Sequence, residues 1–395
     1  MESINPFEVL FWIGLALVFY TYLGYPIVLS SLLSIKKVLA PETHLKNGKE
    51  LPGCTLIIPA YNEEECIVQK AMNSLHLNYD RDKLKIVFVT DGSTDETINR
   101  LHEIEGIEIW HSDARKGKTA AINRVMPSIS SEITVFSDAN TLLNENALIE
   151  LAKHFKDRSI GGVSGEKVVL SNSADSASGA GEGIYWKYES FLKRKDAELH
   201  TLVGSAGELF SMRTALYSSI PEDSILDDFM ISMKLVEKGY RVAYEPKARA
   251  TETASVNVKE EYKRKVRIGA GGFQSMARLK GMLSIRSFGW SSFQYISHRV
   301  MRWAVTPFVL VLILLVNIVL GFTSESIIYP LLFVGQMLFY LTAFLGWKLE
   351  QRKIKLKALY VPFYFTMMHV AVLHGWWRHL KGSQSAVWAK SVRRV

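Results

Sequence analysis

Ile133-Thr134-Val135-Phe136-Ser137-Asp138-Ala139-Asn140 is the stretch on which the reading of this chain turns. Four residues of strand-forming character run into a short polar, acidic segment. Buried strands of an open α/β sheet read as apolar runs, and ligands collect at their carboxyl ends. A carboxylate there, with an amide oxygen two residues on, offers hard oxygen ligands to Mg²⁺ or Mn²⁺, and such a metal could hold a nucleotide's diphosphate. A strand that simply ends in an Asx turn has the same sequence. The rest of the chain has to decide between the two.

The same alternation recurs on either side. Cys54-Thr55-Leu56-Ile57-Ile58-Pro59 is a strand that ends in Ala60-Tyr61-Asn62-Glu63-Glu64-Glu65, the opening of a helix. Lys85–Thr90 is a second strand, followed by Asp91-Gly92-Ser93-Thr94-Asp95-Glu96, which suits a turn and a helix cap near residues 95–105. Ile107–Trp110 is a short third strand. Lys116-Gly117-Lys118 then starts a helix. It lacks the upstream glycine of a phosphate loop, although a lysine at a helix start still attracts a diphosphate. A helix follows Asn140 to about Phe155, then a strand over Gly161–Leu170. Residues 171–181 read as a flexible Gly-rich loop, residues 184–192 as an aromatic helix, and Tyr240–Tyr244 as a last strand that closes the domain near residue 255. This order predicts an α/β domain with a mostly parallel sheet. It brings Tyr61, Asp91 and Asp138 to one edge.

Two further segments carry candidate chemistry. Val203–Arg213 is rich in small residues, so a ligand can approach the backbone at Gly207 beside Glu208. With Trp186, whose flat face suits a sugar, these are the candidate acceptor side. Core packing explains Tyr185 and Phe191 without any ligand. Asp227-Asp228 places two carboxylates at a helix start, where one could serve as a cap, while two share a site and perturb each other's pKa.

Hydrophobic residues make up 48% of the 395-residue chain, and the formal charge is +8. The basic residues flank apolar runs instead of interleaving with aromatics, which argues for membrane orientation and against nucleic acid. Cys54 and Cys66 fit no disulfide framework or zinc site and read as reduced thiols. Residues 7–35 are almost wholly apolar, long enough to span a bilayer, with a kink expected at Gly24 and Pro26. Glu2 and Glu8 precede the run and Lys36 and Lys37 follow it, so the next domain should be cytoplasmic. Three more apolar runs, Trp303–Phe322, Ile327–Trp347 and Leu359–Trp377, follow an interfacial region. Glu325 marks an external link and Lys348–Lys357 an internal one. Spanning by the last run would put the tail outside, but Arg378, Lys381, Lys390, Arg393 and Arg394 favour the inside, with Pro362 marking a broken or re-entrant helix. The expected organisation is therefore a membrane helix (1–37), a cytoplasmic domain (38–255), interfacial helices (256–302), membrane helices (303–380) and a basic tail (381–395).

In this order the motifs resemble the membrane-bound family 2 glycosyltransferases, similar to the exopolysaccharide- and cellulose-synthase-like group. Ile58-Pro59-Ala60-Tyr61-Asn62-Glu63-Glu64 resembles the family's opening motif and Val89–Asp95 its second. Lys116-Gly117-Lys118 with Ala121-Ile122-Asn123 resembles its third. Asp138-Ala139-Asn140 stands at its metal-binding Asp-x-Asp, and Asp227-Asp228 at its acidic pair. The resemblance covers about residues 53–275. It implies an inverting transferase with a Rossmann-like GT-A fold, inserted between one N-terminal and about three C-terminal membrane helices. The donor would be a nucleotide-diphosphate sugar, expected to be a UDP-sugar. Pro59, Tyr61, Glu63 and Asp91 would hold the nucleoside, Lys118 uracil or phosphate, and Arg264 and Arg267 the leaving diphosphate. Asp138 and Asn140 would bind Mg²⁺ or Mn²⁺, and Asp228, beside Asp227, would be the base. The acceptor would be a glycan or lipid-linked sugar at the inner membrane, with homo-oligomer or polysaccharide-export partners left open. Two positions depart from the pattern. Asn140 replaces an acid, and Ile268 follows Arg264-Lys265-Val266-Arg267 where polymerising members carry a Trp. The alternatives are transfer of a single sugar to a polyprenyl phosphate or lipid-linked oligosaccharide, and an inactive scaffold subunit.

Overall fold

Strands Cys54–Ala60 (β1), Leu84–Asp91 (β2) and Ile133–Phe136 (β4) are almost fully buried, as expected where helices cover both faces of a parallel sheet. The computed structural model describes residues 5–39, 50–170, 177–253, 257–352 and 356–387. Glu2, most of the polar linker, residues 171–176, the end of the domain at 254–256, Lys353 and Lys355, and Lys390, Arg393 and Arg394, all used in the expectations above, lie outside the described residues.

Glu108–Ser112 (β3), Leu142–Leu143 (β5), Ile160–Leu170 (β6), Phe210–Arg213 (β7) and Arg241–Thr253 (β8) complete an eight-stranded sheet of order β3-β2-β1-β4-β7-β6-β8-β5. β3-β2-β1-β4 is parallel throughout, with Ala60 opposite Thr90 and Ile57 opposite Phe136. Chain order reverses between β1 and β4, so the crevice for a ligand opens outside their carboxyl ends. The sheet is mixed, since β7 pairs antiparallel with both β4 and β6, and β5 antiparallel with β8. Strand β7 was hidden in the small-residue run Val203–Arg213, of which only the last four residues pair.

The helices that matter for the site are Ile67–Leu75 (α2), Lys118–Val125 (α4), Ala177–Leu199 (α6), Asp227–Glu237 (α7) and Val258–Arg278 (α8); Thr97–His102 (α3) and Ala147–Lys153 (α5) complete the domain. The helix expected from 184 begins at Ala177, its start disguised by glycine. α8 opens on Asn257, whose side chain accepts from the Glu260 amide at 2.9 Å.

Three helices among the described residues are long and apolar enough to cross a membrane: Pro6–Leu39 (α1), Trp290–Thr323 (α9) and Ile328–Gln351 (α10). In α1 a π-turn over Tyr20–Gly24 lies just ahead of Pro26. α9 starts well before Trp303, so His298, Arg299 and Arg302 lie inside it. Lys357–Leu380 (α11) is a helix but not one of the three, which leaves two C-terminal candidates in place of the three expected. It is continuous through Pro362.

Trp12 Nε1 donates to Tyr329 Oη (3.2 Å) and Ser324 Oγ to Glu8 Oε1 (3.2 Å), which groups three helix ends together. At the other end of α1, Lys36 Nζ caps α6 by donating to the carbonyls of Glu198 (2.7 Å) and Leu199 (2.8 Å). Beyond α11, Val387 returns to the sheet domain, where a Cβ on Gly117 would lie 3.1 Å from Val387 Cγ2.

α11 crosses α8 at backbone distance. A Cβ on Gly375 would stand 2.6 Å from both Val266 O and Ala270 N, atoms that cannot rotate away. Small residues at such crossings are what lets membrane helices approach. Gly375→Ala should therefore push α11 off α8 and cost about 1–3 kcal/mol as overpacking does, read as a lowered thermal midpoint in detergent. Gly335→Ala, whose Cβ meets nothing within 4 Å, should leave the midpoint in place.

Candidate functional site

At the end of β1, Asn62 adopts φ 52°, a left-handed conformation asparagine tolerates better than most residues. It ties the first loop to the second, with its amide donating to Ser93 Oγ (3.2 Å) and its Oδ1 accepting from the Thr94 amide (2.8 Å). At the end of β2, the Asp91 carboxylate accepts from the backbone amides of Lys116 (3.1 Å) and Gly117 (2.6 Å). Gly117 sits at φ 97°, a turn that only glycine makes cheaply and that aims Lys118 back across the sheet.

The ammonium of Lys118 lies 2.7 Å from Asp138 Oδ1 and 3.5 Å from Asp227 Oδ2. Burial works against its charge, but Asp138, Asp227 and Asp228 outweigh that and hold its pKa above the usual lysine value. A buried lysine, Lys70 of α2, supports the Asp138 loop from below. It donates to Ser137 Oγ (2.7 Å) and Thr141 O (2.8 Å) and spans the three residues Asp138-Ala139-Asn140. Burial pushes its pKa down to about 7. Burial and the neighbouring Asp227 raise the Asp228 pKa to about 7, against the pull of Lys118.

A cavity of about 420 Å³ joins these groups to the membrane helices, and a smaller one of about 80 Å³ opens on the sheet crevice; both are bounded by Gly117, Lys118 and Asp138. Pro59, Tyr61, Glu63, Asp91 and Asn140 line the small one, while Trp186, Gly207, Glu208, Asp227, Asp228, Arg264 and Arg267 line the large one. Every candidate residue thus borders one of two adjoining cavities. Gly207 is the closest approach: a Cβ there would lie 3.3 Å from Asp228 Oδ2 and 3.4 Å from Lys118 Nζ.

Several candidates are engaged differently from expectation. Arg115 lies over the Tyr61 ring, 3.7 Å from its centroid. The Asp91 carboxylate positions the Lys118 turn. Arg264 grips Glu261 through Nε (2.9 Å) and Nη2 (3.0 Å), while Arg267 donates to Ile225 O (2.9 Å) and feels the charge of Asp227, Asp228 and Asp138. Glu208 pairs with the buried Lys167 at 2.5 Å. Lys167 is 4.7 Å from the Trp186 ring centroid, with Lys193 at 5.7 Å and Lys265 at 5.8 Å, so the ring stacks against ammonium groups.

Sequence reasoning missed Lys70, Lys193, Glu189, Arg299 and Arg302. Arg299 and Arg302 each approach Glu189 at 2.8 Å. Their signal was an i, i+3 arginine pair at the edge of an apolar run.

The donor set suits a divalent cation only in part. Among the described residues no group of three or more His, Cys, Asp or Glu could hold a metal. One carboxylate and one amide oxygen on an open crevice fit Mg²⁺ or Mn²⁺, which take remaining ligands from water and substrate phosphates. The Lys118 ammonium already stands against Asp138 as a positive charge.

Residues 55–218 match the model of glycosyl transferase family 2. This segment is a family 2 glycosyl transferase domain. Outside comparison agrees along a longer stretch. The chain is 29% identical over 244 residues to a poly-β-1,6-N-acetyl-D-glucosamine synthase of Staphylococcus aureus, covering 59% of this chain and 57% of that one. It is 24% identical over 242 residues to the Staphylococcus epidermidis synthase, covering 58% and 57%. The match thus spans a little over half the length of these relatives. A mannosyltransferase of Pyrobaculum calidifontis, solved with GDP-Man and Mn²⁺, superposes with TM-score 0.70 at 20% identity over 94% of this chain and 99% of its own. The domain has the GT-A fold.

Asp228 gives the site a stability signature. Its folded pKa is raised, so its contribution is full below about pH 4, the ordinary carboxyl range, and is lost as pH rises through about 7. In chelator, Asp228→Asn should remove this loss. The difference in thermal midpoint, variant minus parent, should climb between about pH 4 and 7 and then level off.

Proposed function

We propose that the chain is an inverting glycosyltransferase. It would move a sugar from a nucleotide-diphosphate sugar, expected to be a UDP-sugar, to a hydroxyl of a glycan or lipid-linked acceptor in cell-surface polysaccharide synthesis. One observation carries the reading: the half-buried Asp227-Asp228 pair faces Asp138 and Lys118 beside Gly207, where the crevice at the β1/β4 edge meets a cavity walled by membrane helices. The poly-N-acetylglucosamine synthases of similar sequence support the polysaccharide context.

In this reading the nucleoside lies beside Pro59, Tyr61, Glu63 and Asp91, with Arg115 closing over Tyr61. Mg²⁺ or Mn²⁺ held by Asp138 and Asn140 would polarise the diphosphate and neutralise its charge. Lys118 shifts from Asp138 to phosphate oxygen, and Arg267, with Arg264 behind it, offsets the charge of the leaving group. The acceptor hydroxyl approaches along Gly207, and its oxygen attacks the anomeric carbon as Asp228 takes its proton. The bond from anomeric carbon to phosphate oxygen breaks, and the nucleoside diphosphate departs with inversion. A carboxylate with pKa about 7 is ionised often enough and basic enough for this near neutrality. The catalytic domain would face the cytoplasm, where nucleotide sugars are made.

A second reading, transfer of one sugar without polymerisation, is favoured by Ile268, which lines the large cavity where polymerising members carry a Trp. Product length on a gel separates the two.

Asp228→Asn should lower kcat by about 10²–10⁴-fold, the usual contribution of a general base, with little change in donor KM. Near-normal turnover would assign the base elsewhere. Gly207→Ala should raise acceptor KM and lower kcat, because its methyl occupies the approach to Asp228. Nucleotide binding, followed by calorimetry, should be less affected. Chelation of divalent cations should abolish release of nucleoside diphosphate, restored by Mn²⁺ or Mg²⁺.

A further inference from the structure

Asp227 and Asp228 open α7 at an N-terminus that lacks a side-chain cap: Leu226 stands at the cap position and has no polar side-chain group to offer. The placement of the two acids therefore falls to the segment just before them, residues 223–226, and to what holds it. From the sheet side, Thr119 Oγ1 of α4 donates to Ser224 O at 3.4 Å. From the other side α8 touches the segment at every residue. Arg278 donates to Asp223 Oδ2 (2.6 Å) and Ser224 Oγ (2.9 Å), and Arg267 donates to Ile225 O (2.9 Å). A Cβ on Gly271 would stand 2.6 Å from Leu226 Cγ. Positions 267, 271, 274 and 278 recur every three or four residues, so they share one face of the helix.

Gln274, within this stripe, makes two bonds to the segment's backbone. Its Nε2 donates to Asp223 O (2.9 Å), and its Oε1 accepts from the Ile225 amide (3.0 Å). A carboxamide offers two donor hydrogens on one side and an acceptor oxygen on the other. Here the two backbone partners decide which end is which: turned by half a rotation, the group would set oxygen against oxygen and hydrogen against hydrogen. Gln274 lines neither cavity, so any effect it has on the reaction passes through what it holds. Gly269 points away from the stripe toward α11, and a Cβ there would lie 3.1 Å from Val372 Cα. The segment ahead of the acidic pair is thus fastened to a helix that is itself packed hard against α11.

We propose that Gln274 is a positioning residue for the transfer step: its carboxamide clasps residues 223–226 to α8 and so sets where the Asp228 carboxyl stands against the approach at Gly207. This rests on the transfer reading above and adds a residue to it. A Cβ on Gly207 would lie 3.3 Å from Asp228 Oδ2, so the carboxyl has little room to move without losing the approach or blocking it. Without the clasp the Ile225 amide and the Asp223 carbonyl lose their partner, the segment shifts, and the first turn of α7 shifts with it. The residues proposed to hold the nucleoside stand at the ends of β1 and β2 and have no bond to this segment, so donor binding is spared.

The test uses the full chain in phosphatidylcholine nanodiscs with Mn²⁺. Release of nucleoside diphosphate is followed with whichever member of a panel of UDP- and GDP-sugars turns over fastest. Four chains are compared: the parent, Gln274→Leu, Asp228→Asn and the double variant. Gln274→Leu should lower kcat by about 10- to 100-fold, the cost of misplacing a reacting group by the order of 1 Å, and leave donor KM within about twofold. In the Asp228→Asn background the same substitution should change turnover by no more than about twofold, because residues that act as one unit are not additive. Amide hydrogen exchange, read by mass spectrometry, should quicken over residues 223–228 in Gln274→Leu and stay unchanged over residues 137–141. Parental kcat in Gln274→Leu overturns the proposal. So does a full loss repeated on top of Asp228→Asn, or unchanged exchange over residues 223–228. Should Gln274→Leu fail to fold, Gln274→Glu takes its place in every comparison; it keeps an acceptor for the Ile225 amide and sets a second oxygen against Asp223 O. No turnover by the parent with any donor, alongside quickened exchange in the variant, would sink the transfer reading and leave the clasp on the acidic pair standing.

Discussion

Three carboxylates, Asp138, Asp227 and Asp228, converge on one cavity, and the Lys118 ammonium among them is what permits it. At 2.7 Å from one and 3.5 Å from another, it offsets a repulsion that would otherwise spread the β4 loop from the start of α7. The charge works only because Lys118 is aimed. Asp91 grips the two amides before it, and Gly117 makes the turn. One ammonium thus links the ends of β2 and β4 and the N-terminus of α7 through two ion pairs, and three segments distant in sequence become one site. The arrangement is also displaceable. In the proposed reaction a cation and a diphosphate together would replace the ammonium at Asp138 and give it phosphate oxygen to bind in return.

Below this layer the supports are buried and fixed. Lys70 reaches through the core to Ser137 and Thr141, and Ser137 Oγ also approaches Glu208 O at 3.1 Å. The Asp138 loop and the Gly207-Glu208 loop therefore share a strut. The flexible polar groups face the cavity and the rigid ones lie beneath it, as a site needs if substrate is to move charges without moving the backbone.

Much of this was legible before the fold was known, and the reasons are local. Apolar runs ending in Asp or Tyr mark strand ends, so Tyr61, Asp91 and Asp138 had to meet at one edge. Asp227-Asp228 announced a perturbed carboxyl, which is Asp228. What was not legible depends on long-range packing. β7 is four residues long and carries no pattern of its own; it is a strand because β4 and β6 leave a place for it. α11 read as a fourth membrane span, because the apolar face it turns to α8 has the composition of one turned to lipid. The charges around Trp186 were not legible either, because nothing in its neighbourhood on the chain says that Lys167 of β6 and Lys265 of α8 will stand beside its ring. Arg299 and Arg302 read as interfacial, although their partner, Glu189, lies 110 positions or more upstream.

The helix α6 turns these contacts into one device. Asp196 near its end accepts from Tyr25 Oη of α1 and pairs with His298 Nδ1 of α9, each at 2.5 Å, while Gln294 donates to its carbonyl at 2.8 Å. Two turns earlier Glu189 holds Arg299 and Arg302 of the same α9. Two buried carboxylates on α6 thus fasten the sheet domain to two membrane helices. Breaking such a pair from one side leaves an uncompensated charge and costs several kcal/mol, so the joint resists sliding. Between these bolts and the sheet lie Trp186, Lys193 and the large cavity. In the proposed reaction such a rigid joint would let an acceptor hydroxyl beside the membrane helices meet a sugar held at the strand ends, both registered to α6.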